Sequence, residues 1–140
     1  MEKLSSVLLV DDDSTNNFLN ELLFKQLEVT DHLFTAEDGA RALDIIVNTA
    51  GPDEPALILL DVKMPGMGGI AFLEAYRQLP AAKHRATVII MLTTTMDARD
   101  LSRLEELNIA GLVSKPLTKE KIDQILLLHF QRSLPVSPLS

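Results

Sequence analysis

At 140 residues, with 46% apolar and 24% charged positions, the chain has the size and balance of one globular domain with a real core. A net charge of −7 argues against a nucleic-acid binder, which would carry a basic stripe, and the lack of cysteine excludes disulfides and thiolate metal sites. No segment approaches the ~20 apolar residues that cross a bilayer and no signal-peptide core opens the chain, so a cytoplasmic protein without membrane insertion is expected.

The first apolar run, 7–10, reads as a buried strand and stops at three consecutive carboxylates, Asp11, Asp12 and Asp13. Like charges at such spacing repel, and partial burial removes their hydration. Either a cation belongs there or the run is a solvated loop with a helix cap; Asp13 or Ser14 is expected to cap. A helix is predicted over 14–27, with Leu19, Leu22, Leu23 and Leu27 as its buried stripe. A strand over 32–36 and a helix over 38–50, carrying Ala42, Leu43, Ile46 and Val47, come next. The run 56–60 is uniformly apolar and ends at Asp61, followed by a helix over 69–79 on Ile70, Leu73 and Tyr76. Strand 87–92 leads into Thr93, Thr94 and Thr95, and helix 97–108 follows on Leu101, Leu104 and Leu107. The last strand, 111–113, leads into Ser114, Lys115 and Pro116, ahead of a helix over 118–130 on Ile122, Ile125, Leu126 and Phe130. "SLPVSPLS", 133–140, reads as a frayed tail.

Strict alternation of strand and helix implies a parallel sheet with right-handed crossovers, and uniformly apolar strands are those covered on both faces. In open α/β sheets ligands bind beyond the carboxyl ends of the strands. Those ends carry Asp11 to Asp13, Asp61, Thr93 and Lys115, which share one rim if the strands are neighbours. Several carboxylates, a hydroxyl and an ammonium fit a magnesium ion with a phosphoryl group. Magnesium takes oxygen ligands, a carboxylate can attack phosphorus, and Thr and Lys suit the phosphoryl oxygens. Taken singly, each residue has a plainer reading, as helix cap, loop aspartate, β-branched strand end or ordinary Lys-Pro pair.

The segments "LLVDDDS", "LLDVKMPGMGG", "IIMLTTT" and "GLVSKPL" together resemble the receiver domain of two-component response regulators, over about 5–130. The resemblance implies a flavodoxin-like doubly wound α/β fold, (βα)5, with sheet order 2-1-3-4-5. It implies Asp61 as phosphoacceptor, with Mg2+ on Asp11, Asp12, Asp61 and the backbone carbonyl of Lys63. Thr93 would be the switch hydroxyl and Lys115 its cationic partner, on a cis Lys115–Pro116 bond. The phosphoryl group would come from a histidine kinase or phosphotransfer protein, and the chain would be a signalling phosphoacceptor rather than an enzyme. Residues 1–132 would form the receiver and 133–140 a flexible tail, with no output domain, so output would run through an unknown protein target. The face made by helix 4, strand 5 and helix 5, with Arg99, Arg103, Lys119 and Lys121, is expected to meet it.

Three positions depart from the family pattern. Gly68 replaces an aspartate, Leu112 replaces an aromatic switch residue, and Lys63 and Thr95 flank the hydrolytic water. Other readings stay open on the sequence. A haloacid-dehalogenase-type phosphatase uses an Asp-x-Asp after its first strand, which "DDD" contains, and a receiver-like module can bind partners without phosphorylation. A flavodoxin-type cofactor protein is disfavoured, because three aspartates would repel its phosphate.

Overall fold

The computed structural model describes residues 3–49, 54–62, 64, 66–80, 88–93, 98–107 and 109–132. Strands and helices alternate along the chain. They are β1 (Val7–Val10), α1 (Ser14–Gln26), β2 (Leu33–Ala36), α2 (Gly39–Asn48), β3 (Leu57–Asp61), α3 (Gly69–Arg77), β4 (Val88–Thr93), α4 (Ala98–Glu106), β5 (Gly111–Ser114) and α5 (Lys119–Phe130). All neighbouring strands pair in parallel, in the order β2-β1-β3-β4-β5. This is the flavodoxin-like doubly wound arrangement expected from the sequence.

Side chains alternate faces along a strand, and here both faces are apolar. Leu8, Val10, Ile58, Leu60 and Met91 face one way, against Ala42 and Ile46 of α2, Phe72, Leu73 and Tyr76 of α3, and Leu104 of α4. Val7, Leu9, Leu57, Leu59, Ile90 and Leu92 face the other way, against Phe24 of α1 and Ile122, Ile125 and Leu126 of α5. Two covered faces explain the lack of polar alternation in β1, β3 and β4. Fully burying a side chain such as Phe24, Phe72 or Ile58 contributes about 1.5–3 kcal/mol.

Among the described residues, three helices start on a side-chain cap. Asp13 accepts from the Thr15 and Asn16 amides, Asp38 from Arg41 and Thr118 from Lys121. α3 starts on Gly68, without a side-chain cap.

The α1 stripe departs from the sequence expectation. Its buried residues are Asn17 and Phe24, with Leu23 and Leu27 only partly buried, and Leu19 and Leu22 lie exposed. At 3.6 residues per turn, positions 17 and 24 point almost the same way and 19 and 22 fall on the far side. Phe24 takes the sheet-facing line, while Phe18, about 600° earlier along the helix and so turned well away from it, lies exposed. Val47 of α2 and Leu101 of α4 are likewise exposed, and in α3 Phe72 joins the expected Leu73 and Tyr76 in the core while the expected Ile70 is only partly buried.

Candidate functional site

The register sets the site. Val10 pairs with Leu60, Leu60 with Met91, and Thr93 with Ser114. Asp11, Asp61 and Lys115 each follow or close a strand at this level, so they meet on one rim. The Lys115 Nζ lies 2.8 Å from Asp11 Oδ2 and 3.2 Å from Asp61 Oδ2. The side chains of Asp11, Asp61 and Lys115 are 4%, 11% and 19% exposed, so this bridge is well shielded from water. Burial alone would pull the Lys115 pKa down. The hydrogen bonds and charges of Asp11 and Asp61 outweigh it and hold the ammonium above the usual lysine value.

Asp11 is heavily engaged. Its Oδ1 accepts from the Asp13 amide at 2.9 Å, and its Oδ2 accepts from Lys115 and from the Asn16 amide group at 3.4 Å. The buried Asn17 clamps the turn from below: its Nδ2 donates to the carbonyls of Asp11 at 2.9 Å and of Ala36 at 3.1 Å. Sequence reading missed both asparagines. The available signal was a polar residue at 17, one heptad before Phe24 on the line that faces the sheet.

Asp11, Asp12 and Asp61 each bring a carboxylate oxygen within 4.8 Å of the others, with Asp11 and Asp61 buried and Asp12 exposed. Three carboxylates against one ammonium leave a formal charge of −2. All-oxygen donors, one open side and that charge fit a hard divalent cation. Thr93, half-buried at the end of β4, accepts the Lys115 amide through its carbonyl at 2.9 Å, which seats the lysine beside it. The Lys115–Pro116 bond is cis, as the resemblance to receiver domains implied. Lys63, Thr94, Thr95 and 133–140 lie outside the described residues.

Asp13 does not join the cluster. Its carboxylate accepts from the amides of Thr15 and Asn16 at the start of α1. The Asp-x-Asp pair that a haloacid-dehalogenase-type phosphatase needs is therefore split, one member in the cleft and the other spent on a helix cap. Below Asp61 the backbone is packed tightly: a Cβ on Gly69 would stand 2.5 Å from the Asp61 carbonyl oxygen.

A cavity of about 620 Å3 opens beside the acids, between α1 and the segment joining β5 to α5. Asp11 and Lys115 line it together with Leu19, Leu22, Leu23, Leu92, Pro116 and Leu117. Its walls account for the exposed leucines of α1.

Comparison with known proteins agrees with this geometry. The chain matches the response regulator receiver domain over residues 7–127. It is 35% identical over 121 residues to a probable chemotaxis protein CheY of Rhizobium etli, covering 83% of this chain and 84% of that one. It is 30% identical over 122 residues to the two-component response regulator ARR22 of Arabidopsis thaliana, covering 86% and 80%. The crystal structure of a two-component response regulator from Cytophaga hutchinsonii superposes with a TM-score of 0.81 at 26% identity, over 94% of this chain and all of that one. With order 2-1-3-4-5, an acidic cluster and a lysine at the strand ends, and a match along most of its length, the chain belongs to the response regulator receiver domain family.

Proposed function

We propose that this receiver takes a phosphoryl group onto Asp61 from a histidine kinase or phosphotransfer protein and signals through protein contacts. The observation that carries this reading is the Lys115 ammonium, seated between Asp11 and Asp61 at 2.8 and 3.2 Å. A carboxylate oxygen of Asp61 attacks the phosphorus of a phosphohistidine. The phosphorus–nitrogen bond breaks, the imidazole nitrogen leaves with the electron pair, and Asp61 becomes an acyl phosphate. Lys115, whose ammonium form Asp11 and Asp61 favour before the reaction, stabilises charge on the phosphoryl oxygens. Thr93, on the adjacent strand end, supplies the hydroxyl that answers the new charge.

Asp11, Asp12 and Asp61 would hold Mg2+, joined by the backbone carbonyl of Lys63. Bound there, magnesium lowers the repulsion between the carboxylate and the incoming phosphoryl group. The apolar cavity beside Asp11 and Lys115 suits a helix that presents the donor histidine. The chain spans most of the length of its chemotaxis-type relative, which supports a receiver over 1–132 that acts through protein contacts. In this reading it is a phosphoacceptor that assists its own phosphorylation and dephosphorylation, not an enzyme acting on an external substrate.

Incubation with magnesium and acetyl phosphate, followed by intact-mass measurement, tests the proposal. One added phosphoryl group is expected, absent in Asp61→Asn. Labelling that persists in Asp61→Asn, or multiple turnovers of an external phosphate ester without labelling, would overturn it.

A further inference from the structure

Lys121 stands third in α5, after the Thr118 cap, where a helix favours an acid on two counts. Its dipole is positive there, and a Glu or Gln at this position can reach back to the cap amide. A lysine meets neither need. Its Nζ instead donates to the Ser114 carbonyl at 2.8 Å, the Pro116 carbonyl at 2.9 Å and the Ser114 hydroxyl at 3.3 Å. An ammonium has three N–H donors, and all three are used. The carbonyls of Ser114 and Pro116 flank Lys115 in the chain, so one cation fixes the peptide planes Ser114–Lys115 and Pro116–Leu117, which bracket the lysine and its proline. Meanwhile the Lys121 amide donates to Thr118 Oγ1 and the Lys115 amide to the Thr93 carbonyl. The segment that carries Lys115 is thus held to β4 on one side and to α5 on the other.

We propose that Lys121 is a positioning residue for Lys115: by gathering the carbonyls of Ser114 and Pro116 it keeps the Lys115 ammonium on the carboxylates of Asp11 and Asp61. This rests on the reading of Lys115 as the phosphoryl-binding cation. It also changes the sequence expectation for Lys121, whose ammonium is turned onto its own chain. Arg103 is similarly engaged, with Glu74 and Glu106.

The test compares wild type with Lys121→Met, Lys121→Arg, Lys115→Met and the Lys115→Met/Lys121→Met pair. Two quantities are read: the rate of acetyl phosphate labelling with magnesium, and the Mg2+ dissociation constant of the unlabelled protein by calorimetry. Lys121→Met should label about tenfold more slowly, the scale expected when a catalytic group is displaced by a fraction of an ångström to one. Lys121→Arg, which can still donate to both carbonyls, should recover most of that loss. In the Lys115→Met background, removing Lys121 should change nothing further, because a positioning residue has no effect without the group it positions. Lys115 competes with the metal for Asp11 and Asp61, so Lys121→Met should also tighten Mg2+ binding, towards the Lys115→Met value. A wild-type labelling rate in Lys121→Met, or losses that multiply in the pair, would overturn the assignment. If wild type itself takes no label, the proposed function falls and the calorimetry still decides. An Mg2+ dissociation constant unmoved by Lys121→Met overturns the role of Lys121, and a shift towards Lys115→Met upholds it.

Discussion

Lys115→Met is the most informative perturbation of the stability of the metal-free protein. It keeps the length and apolar stem of the side chain and removes one charge from between two shielded carboxylates. With an effective dielectric constant of about 20, unit charges at 2.8 Å attract by about 6 kcal/mol and at 3.2 Å by about 5 kcal/mol, before desolvation is counted. Desolvation of three ionic groups offsets most of this, but removing one partner leaves that cost in place and typically destabilises by about 3–5 kcal/mol. The cluster sits at a rim, and water can reach Asp61 once the ammonium is gone. The expected loss is therefore about 2–3 kcal/mol, or roughly 6–9 °C in melting temperature for a chain of this size.

Urea unfolding in EDTA, with and without excess magnesium, reads this directly. Magnesium at 100 times its dissociation constant adds about 2.7 kcal/mol to any protein that binds it only when folded. The variant should recover more than wild type at equal magnesium, because no ammonium competes for the carboxylates. The pH dependence has a definite sign. The Lys115 pKa is raised in the fold, so its contribution is fully present below the unfolded value of about 10.4 and is lost as pH rises through the folded value. The gap between wild type and variant should hence stay constant from about pH 6 to 9 and narrow only in strong alkali. Equal unfolding midpoints in EDTA would refute the ion-pair argument, and so would a loss that magnesium leaves untouched.

Asp12→Ala should abolish the magnesium response while leaving the fold intact, since Asp12 is exposed yet belongs to the acidic trio; a full thermal shift with magnesium would remove it from the site. Asp13→Ala should cost about 1 kcal/mol through loss of the α1 cap while magnesium affinity by calorimetry stays near wild type. Gly69→Ala should lower stability by more than about 2 kcal/mol and slow labelling of Asp61, because its Cβ would meet the Asp61 carbonyl oxygen at 2.5 Å; an unchanged melting curve would contradict that packing. Gly68→Asp should raise stability by a few tenths of a kcal/mol to about 1, supplying the missing α3 cap at a backbone angle that L residues adopt; a fall would mean that the Met64 carbonyl, 3.3 Å from the new Cβ, does not yield.

The order and type of the ten elements among the described residues were legible, because strand period, helix period and turn chemistry agree along them. The boundaries differ by a residue or two at most helix ends. What misled was a leucine-rich helix. In α1 the leucines outnumber the positions that face the sheet, so counting apolar residues at spacings of three and four selects Leu19 and Leu22, and only packing reveals Phe24. The basic residues misled for a related reason. Sequence places Arg103 and Lys121 on helix surfaces, but long flexible side chains fold back on acceptors whose positions depend on tertiary structure. The rim itself was legible because strand ends are local features and a parallel sheet aligns them. Asn17 was not, since its worth lies in two carbonyls that come together only after β1 and β2 pair.

The placement of the acids also follows from the strands beneath them. In β1 and β3 the last apolar residues, Val10 and Leu60, are fully buried and paired with each other, and the acid comes next in both segments. Asp11 and Asp61 therefore stand at the same height, one step beyond the level at which both faces of the sheet are covered. One step lower, an ionised carboxylate would be enclosed on both sides and would have to lose its charge. One or two steps further, as with Asp12 and Asp13, it is solvated and free to bind a cation weakly or cap a helix. At this height a carboxylate is dry enough to hold Lys115 tightly and open enough to exchange that partner for a metal or a phosphoryl group. A slip of β3 by one residue against β1 would destroy that match, but it would also send the apolar side chains of β3 to the opposite faces. The packing that fixes the register of the core is thus the same packing that fixes the geometry of the site.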